Sequence, residues 1–193
     1  MNRASRKLSA FITGAALVAV ATSPLAAQQS GTWEFNARGG VAVPAGKLTD
    51  ASKAGPTVGI GAAYWITPRI GLSADHDMSF LQGKTIGTAQ ASDLNLWQYG
   101  GGAIVSLLNP ATTHWLAYAS LGAGATTFDP RTTGASTSTR FTTNGGLRLG
   151  YRVGRSADVF LGSQAYLMFV DKTDWGSSTT WNFPINAGLK LRV

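Results

Sequence analysis

Apolar side chains alternate with polar or small ones along the last thirteen residues. Between residues 181 and 193 every second position is apolar, from Trp181 to Val193. A period of two is that of a β-strand, whose successive side chains point to opposite faces. The segment therefore predicts a strand with one apolar face. Pro184 has no N–H to donate to a neighbouring strand, so we expect a bulge or the rim of the sheet at that point.

The same alternation recurs along the chain, and no long stretch with a 3.6-residue period competes with it. The predicted strands cover residues 32–43, 57–66, 69–80, 94–107, 115–128, 140–153, 157–170 and 181–193. The two faces of 115–128 are ambiguous. The register that turns the small residues Ser120, Gly122, Gly124 and Thr126 toward a crowded interior also turns Tyr118 inward.

The connections between these strands alternate in length. Segments 67–68, 108–114 and 154–156 are short and rich in turn-forming residues, whereas 44–56, 81–93, 129–139 and 171–179 are longer. Bacterial outer-membrane barrels have short periplasmic turns and longer external loops. The sequence therefore predicts an all-β fold, an eight-stranded antiparallel up-and-down transmembrane β-barrel. A soluble barrel, with the apolar face turned inward, is the alternative.

The N-terminus has the features of an export signal. Arg3, Arg6 and Lys7 precede an apolar run at 8–21, and small residues follow up to Ala27. The run is shorter than the roughly 20 residues that a membrane-spanning helix needs. We expect residues 1–27 to be a cleaved secretory signal peptide and 28–193 to form the barrel in the cell outer membrane, with a retained signal anchor as the alternative.

Composition excludes several functional classes. The formal net charge of +7 falls to +4 without the three positive charges of the signal peptide, which is too small an excess to indicate nucleic-acid binding. The absence of cysteine excludes a disulfide scaffold and thiolate metal ligands. The 24 glycines and 13% charged residues suit a β-protein. We expect neither a cofactor nor a metal.

Aromatic residues gather near the ends of the predicted strands, where a membrane barrel carries its interfacial belts. A soluble core would instead place large aromatic rings at strand centres. The predicted periplasmic belt comprises Trp33, Phe35, Tyr64, Trp115 and Tyr151. The predicted outer belt comprises Phe80, Trp97, Tyr99, Phe141, Phe169, Trp181 and Phe183.

Nine charged residues fall on the predicted inward face. They are Glu34, Arg38, Asp75, Asp77, Arg148, Arg152, Asp158, Lys190 and Arg192. An unpaired charge in a narrow interior costs several kcal/mol, so we expect these side chains to pair. Arg38, Asp75, Asp77 and Arg148 are predicted to form a middle layer, and the other five a layer near the periplasmic mouth.

Closure of the barrel should make the first and last strands neighbours. We therefore expect Glu34 to contact Lys190 or Arg192. Eight strands enclose a space that side chains can fill, which predicts a plugged barrel. A gated ion path through the charged residues is the alternative.

Three segments carry a resemblance to a known family: residues 43–46 at the end of the first strand, 59–72 forming a hairpin, and 145–153. In pattern the chain resembles the small OmpA-like and OmpX-like outer-membrane β-barrels over essentially the whole region after residue 27. The resemblance implies a monomer in contact with outer-membrane lipid and lipopolysaccharide. It also implies that periplasmic chaperones and the barrel-assembly machinery act during biogenesis.

Catalytic chemistry has little support in the sequence. The two histidines, His76 and His114, make a poor metal set without cysteine. Strand alternation separates His76 from both Asp75 and Asp77, and its odd spacing from Ser79 separates those two as well. The glycine clusters at 100–102 and 122–124 lack the residues of a phosphate-binding loop.

The sequence thus predicts a non-enzymatic barrel with a structural or surface-interaction role, exerted through external loops such as 132–139, whose extracellular ligand is undetermined. The alternatives are a small ion channel or porin and an outer-membrane lipid-modifying enzyme.

Overall fold

The computed structural model describes residues 30–86, 89–109, 113–132 and 134–193, so the predicted signal peptide at 1–27 lies outside the described residues. Long antiparallel strands dominate this region. They are β1 (Trp33–Gly46), β2 (Gly55–Trp65), β3 (Ile70–Gly83), β4 (Leu94–Ser106), β5 (Trp115–Pro130), β6 (Ser138–Arg152), β7 (Ala157–Phe169) and β8 (Thr179–Arg192).

These eight strands form a closed barrel. Each pairs antiparallel with its neighbours in the sequence, and β1 pairs with β8 to close the ring. Paired residues followed once round the ring lead from Asn36 to Gly46, ten residues further along β1. This stagger tilts the strands against the barrel axis, as closure requires. The predicted eight-stranded antiparallel barrel is confirmed.

The two ends of the barrel differ in their connections. The terminal end carries the start of β1, the end of β8 and connections 66–69, 107–114 and 153–156. The loop end carries connections 47–54, 84–93, 131–137 and 170–178. Strands β1, β3 and β5 continue beyond their predicted ends at the loop end, because their edge residues stay paired. The contrast in connection length is therefore smaller than the sequence indicated.

Short elements lie within the loop-end connections. Helices α1 (Leu48–Ala51) and α2 (Lys172–Trp175) are single turns. Ser52–Lys53 pairs with the end of β3, and Thr85–Ile86 pairs with Ala89–Gln90. Gly176 ends α2 with a positive φ of 64°, a conformation that glycine adopts without steric cost. Among the helices that the structure describes, none is both long and apolar enough to cross a membrane.

Apolar side chains cover the outside of the barrel and polar ones face inward. Leu121 on β5 is 73% exposed, whereas Asp77 and Gln98 on the inward face are fully buried. The inward register of β5 includes Thr126 and also Tyr118, which is only 4% exposed. A soluble barrel would show the reverse arrangement. The prediction of an outward apolar face is confirmed, and the ambiguity of strand 115–128 is settled with Tyr118 inside.

Pro184 interrupts one ladder without shifting it. The pairing of β7 with β8 includes Ser163 with Ile185, lapses beside Pro184, and resumes with Tyr166 and Asn182 in the same register. The missing N–H explains the gap. Neither the bulge nor the rim expected at Pro184 is observed, because the two strands keep equal numbers of residues across it and β8 already begins at Thr179.

Candidate functional site in the barrel interior

A network of ion pairs lies in the interior at the terminal end, beside an apolar cluster that includes the buried side chains of Trp65 and Leu116. Lys190 Nζ lies 3.0 Å from Glu34 Oε2 and 3.4 Å from Asp158 Oδ2. Arg192 Nη2 lies 2.6 Å from the other oxygen of Asp158, and Arg152 stands opposite Asp158 in the β6–β7 ladder. The structure thus brings together the residues predicted for the periplasmic layer, including the contact across the β1–β8 closure.

Tyr118 belongs to this network, although the sequence analysis did not include it. Its hydroxyl accepts a hydrogen bond from Lys190 Nζ at 2.6 Å, and the same nitrogen lies 4.0 Å from the ring centroid. A charge-assisted hydrogen bond and a cation–π contact therefore act together on Lys190. The sequence indicates this position through its spacing: Tyr118 lies two and four residues from Ser120 and Gly122, so all three side chains share the inward face of the strand.

A second network occupies the middle of the barrel. Arg38 donates to both carboxylate oxygens of Asp77, from Nε at 2.8 Å and from Nη2 at 2.7 Å. Its Nη1 lies 2.6 Å from Asp75 Oδ1, which also accepts from Arg148 Nη2 at 2.9 Å. The Tyr166 hydroxyl donates to Asp77 Oδ2. Two arginines and two aspartates balance their charges, as pairing in a narrow interior demands.

Two glycines on β2 make room for this middle network. A Cβ at Gly59 would collide with Asp77 Oδ1 and approach Arg38 Nε, and a Cβ at Gly61 would collide with Asp75 Oδ1. The bidentate geometry of Arg38 therefore depends on the bare backbone of the neighbouring strand.

Uncharged polar side chains form the next layer toward the loop end. Asn182 Nδ2 donates to Gln98 Oε1 at 3.0 Å and to Ser79 Oγ at 3.2 Å. Thr142 Oγ1 donates to Thr126 Oγ1 at 2.8 Å. These residues are buried, and hydrogen bonds between amides and hydroxyls avoid the desolvation cost of a charge.

An apolar cap closes the interior at the loop end. Its buried members are Ala42, Leu48, Leu81, Leu94, Leu96, Phe128, Met168 and Val170, and Trp175 of α2 packs against them. Leu48 comes from α1, so both short helices cover the barrel mouth. The sequence predicts a plug of charged side chains and not this cap. Several members of the cap fall at the ends of predicted strands or in predicted loops, to which no inward face was assigned.

A small cavity separates the two charged networks. It measures about 20 Å³ and is lined by polar groups of Glu34, Tyr118, Arg148 and Lys190 and by apolar side chains that include Leu116. That volume is about enough for one water molecule. Glu34 Oε1 is buried and accepts no hydrogen bond from the described residues.

The aromatic residues predicted for the belts lie on the outside of the barrel in two groups. At the terminal end Trp33 packs on Tyr64 with ring centroids 5.1 Å apart, and Trp115 packs edge-on against Tyr151 at 5.2 Å. Toward the loop end the rings form the pairs Phe141–Phe169 at 5.7 Å and Trp181–Phe183 at 5.8 Å, and Trp97 and Tyr99 lie on β4.

The side chains considered for catalysis do not converge. Ser79 is buried inside, where its hydroxyl donates to Thr57, whereas His76 faces outward. His114 stacks on Tyr151 at the terminal end, with centroids 6.0 Å apart. Within the part of the chain that the structure describes, no group of three or more His, Asp or Glu side chains is arranged to hold a metal ion.

Comparison with solved structures shows the same fold in several bacterial barrels. Neisserial surface protein A aligns with a TM-score of 0.66 at 15% identity, over 84% of this chain and 99% of that chain. OprG of Pseudomonas aeruginosa gives 0.57 at 14% identity, over 87% and 99%. Ail, the attachment invasion locus protein of Yersinia pestis, gives 0.58 at 11% identity, over 86% and 100%.

No curated protein sequence matches the chain. The family model described as the outer membrane protein beta-barrel domain matches residues 13–192. This match spans every strand of the barrel. The chain belongs to the outer-membrane protein β-barrel domain family.

Proposed function

We propose that this protein is a plugged, monomeric outer-membrane barrel that presents its loop-end connections to the surroundings of the cell and has no enzymatic activity. The filled interior carries the proposal. Two ion-pair networks, a hydrogen-bonded polar layer and the apolar cap succeed one another along the axis, and the cavity between the networks holds only about 20 Å³.

Orientation follows from the family. Outer-membrane barrels place short turns in the periplasm and longer loops outside, so the terminal end faces the periplasm and the loop end faces out. Export through the signal peptide 1–27 delivers the chain to this membrane, with periplasmic chaperones and the barrel-assembly machinery as partners on the way. The two groups of outward aromatic rings then mark the membrane interfaces, where they contact phospholipid and lipopolysaccharide.

The loop end offers a polar surface for contact. Lys47, Asp50, Arg131, Asp171 and Lys172 are exposed there, as are most residues of 131–137. Two barrels of the same fold are named as a surface protein and an attachment protein. These observations support a surface-interaction role and favour it over catalysis, since His76 and Ser79 lie on opposite sides of the wall.

Electrical recording after refolding into planar bilayers tests the plugged state. We expect no discrete conductance steps, because the paired side chains leave no continuous path. Steps in the wild-type protein would contradict the proposal and support the second candidate, a small channel. One feature favours that candidate: charged and polar side chains occupy the interior between the small apolar cluster at the terminal end and the apolar cap. Loss of the steps in Arg148→Ala would then assign conduction to the middle network.

Localisation has a separate and simpler test. Cell fractionation should place the protein in the outer membrane, with migration on a gel that changes on heating, and mass spectrometry should find the mature chain starting at Gln28. A soluble periplasmic product would contradict the membrane assignment. An unprocessed N-terminus would contradict the predicted cleavage after Ala27 alone.

A further inference from the structure

A groove runs along the outside of the barrel across β1, β2 and β3. It has a volume of about 470 Å³, and its outward side chains are Phe35, Ile60, Ala62, Ala74 and His76. Ala62 pairs with Phe35 on one side and Ala74 on the other. The two methyl groups leave a trough between larger neighbours. The trough faces the surroundings of the barrel, so under the proposed function its occupant is a membrane lipid chain.

An imidazole stands at one end of this groove. His76 is two residues nearer the loop end than Ala74 on β3, and its ring stacks on Tyr99 with centroids 4.8 Å apart and an interplanar angle of 13°. Trp97 stacks on it from further away, at 6.1 Å. These contacts fix the ring orientation. Since β3 runs toward the loop end, the imidazole lies at the end of the groove that is nearer the outer leaflet.

One hydrogen bond determines which ring nitrogen of His76 carries the proton. Nδ1 lies 3.2 Å from the backbone oxygen of Gln98. A carbonyl oxygen can only accept, so Nδ1 must be the donor, and in the neutral ring Nε2 is then an acceptor.

The described residues provide no partner for Nε2. The nearby carboxylates of Asp75 and Asp77 point to the opposite side of the wall, where Arg38 binds them both. A polar atom facing hydrocarbon without a hydrogen bond costs free energy. The missing group must be a donor, and it must reach Nε2 from the lipid side.

We propose that the groove binds a hydroxylated acyl chain of outer-leaflet lipopolysaccharide, with the methylene chain along Ala62 and Ala74 and the chain hydroxyl donating to His76 Nε2. The proposal rests on the proposed placement of this face in the membrane. A saturated chain fits the apolar trough equally well but leaves Nε2 without a donor. The site therefore discriminates between lipids by a single hydroxyl group.

Imidazole nitrogen NMR on the refolded protein in detergent micelles tests this proposal. The chain has only two histidines, so His114 near the terminal end is an internal reference. The probes are methyl tetradecanoate and methyl 3-hydroxytetradecanoate. We expect the hydroxylated ester to shift the His76 Nε2 resonance and leave His114 unchanged. Its affinity should exceed that of the plain ester about fivefold, the size of one neutral hydrogen bond.

Two variants separate the hydroxyl contact from the groove. His76→Phe keeps a ring on Tyr99 but removes the acceptor, so both esters should bind equally. Ala74→Leu fills the trough, so both esters should lose affinity while the His76 resonance stays at its ligand-free position. Equal affinity of the wild-type protein for the two esters would overturn the proposal, as would a preference that survives in His76→Phe.

The lipid source is tested in vesicles. The His76 shift should appear in phospholipid vesicles that contain lipopolysaccharide and be absent in vesicles of phospholipid alone. A shift of equal size in both would overturn the assignment to lipopolysaccharide. None of these results depends on whether the interior conducts, so failure here is distinguishable from failure of the plugged-barrel proposal, which conductance decides.

Discussion

The interior of this barrel differs in chemistry between its two ends. Ion pairs dominate the terminal end, beside a small apolar cluster that includes Trp65 and Leu116, whereas apolar side chains alone close the loop end. The half toward the terminal end is held by Glu34, Lys190 and Asp158 and, further in, by Arg38 with its two aspartates. The loop end is closed by the apolar cap, over which α1 and α2 lie. Where α1 and α2 cover the loop end, the apolar side chains beneath them are removed from water, and this burial stabilises the fold. Toward the terminal end, charged side chains occupy much of the space and must find partners there.

This difference determines what each half contributes. Bidentate and shared ion pairs require particular distances, so they fix the positions of the inward side chains but return little net free energy after desolvation. The apolar cap stabilises the fold in proportion to the apolar area that it buries, and it tolerates substitutions that conserve side-chain volume. We therefore expect the charged half to be sensitive to the loss of one partner and the apolar cap to be sensitive to the loss of volume.

Asp77→Ala should have the largest effect. It leaves Arg38 with Asp75 as its carboxylate partner and removes the acceptor of the Tyr166 hydroxyl, so a buried charge loses its bidentate partner. We expect the free energy of unfolding to fall by about 3–5 kcal/mol. Urea unfolding of the barrel in vesicles, followed by tryptophan fluorescence, measures it. Asp50→Ala, which breaks an exposed pair with Lys47, is the control and should change little.

Phe128→Ala tests the apolar cap. The ring is buried among the cap residues and lies 5.2 Å from that of Trp175. Its removal should cost about 3 kcal/mol through lost burial and the remaining cavity, and should speed proteolysis of 170–178. The barrel should still show no conductance, because the ion-pair networks beneath the cap remain closed. Conductance in this variant would mean that the cap alone seals the interior.

Tyr118→Phe removes one hydroxyl from the terminal network and keeps the ring beside Lys190. We expect a loss of about 2 kcal/mol, the value of a hydrogen bond to a charged group. Tyr99→Phe is the matched control on the outward face, and it should have a much smaller effect. Equal losses of unfolding free energy in the two variants would contradict a stabilising role for the hydrogen bond between Lys190 and the Tyr118 hydroxyl.

Asp171→Asn should have the smallest effect. The carboxylate lies 2.6 Å from Arg140 Nη2 at the loop end, but about half of the side chain is exposed. Water and salt screen such a pair. The free energy of unfolding should therefore fall by less than about 1 kcal/mol, and the difference from the wild type should vanish near 1 M salt. A loss as large as that of Asp77→Ala would contradict the contrast between buried and exposed pairs.

Much of the barrel is predictable because alternation is a local property. The two-residue alternation predicts where the strands lie and which side chains face inward. The order of the connections predicts that β1 and β8 close the barrel, and the structure accordingly places Glu34 beside Lys190. The same alternation reaches the apolar cap, since Leu81 is an even number of residues from Asp77 and Phe128 from Thr126. Neither was predicted inside, because Leu81 lay beyond the predicted end of its strand and Phe128 was the last residue of another.

The sequence by itself determined the strands, the face that meets lipid and the set of charges that had to lie inside, because a two-residue period fixes the side of the sheet for every residue. Only the tertiary structure decided which charges share a partner. Asp75 bridges Arg38 and Arg148, and Tyr118 meets Lys190, because a ten-residue stagger brings distant strands together at one level. It also decided that two single-turn helices cover the loop end with an apolar cap, since burial there comes from elements that lie outside the strands.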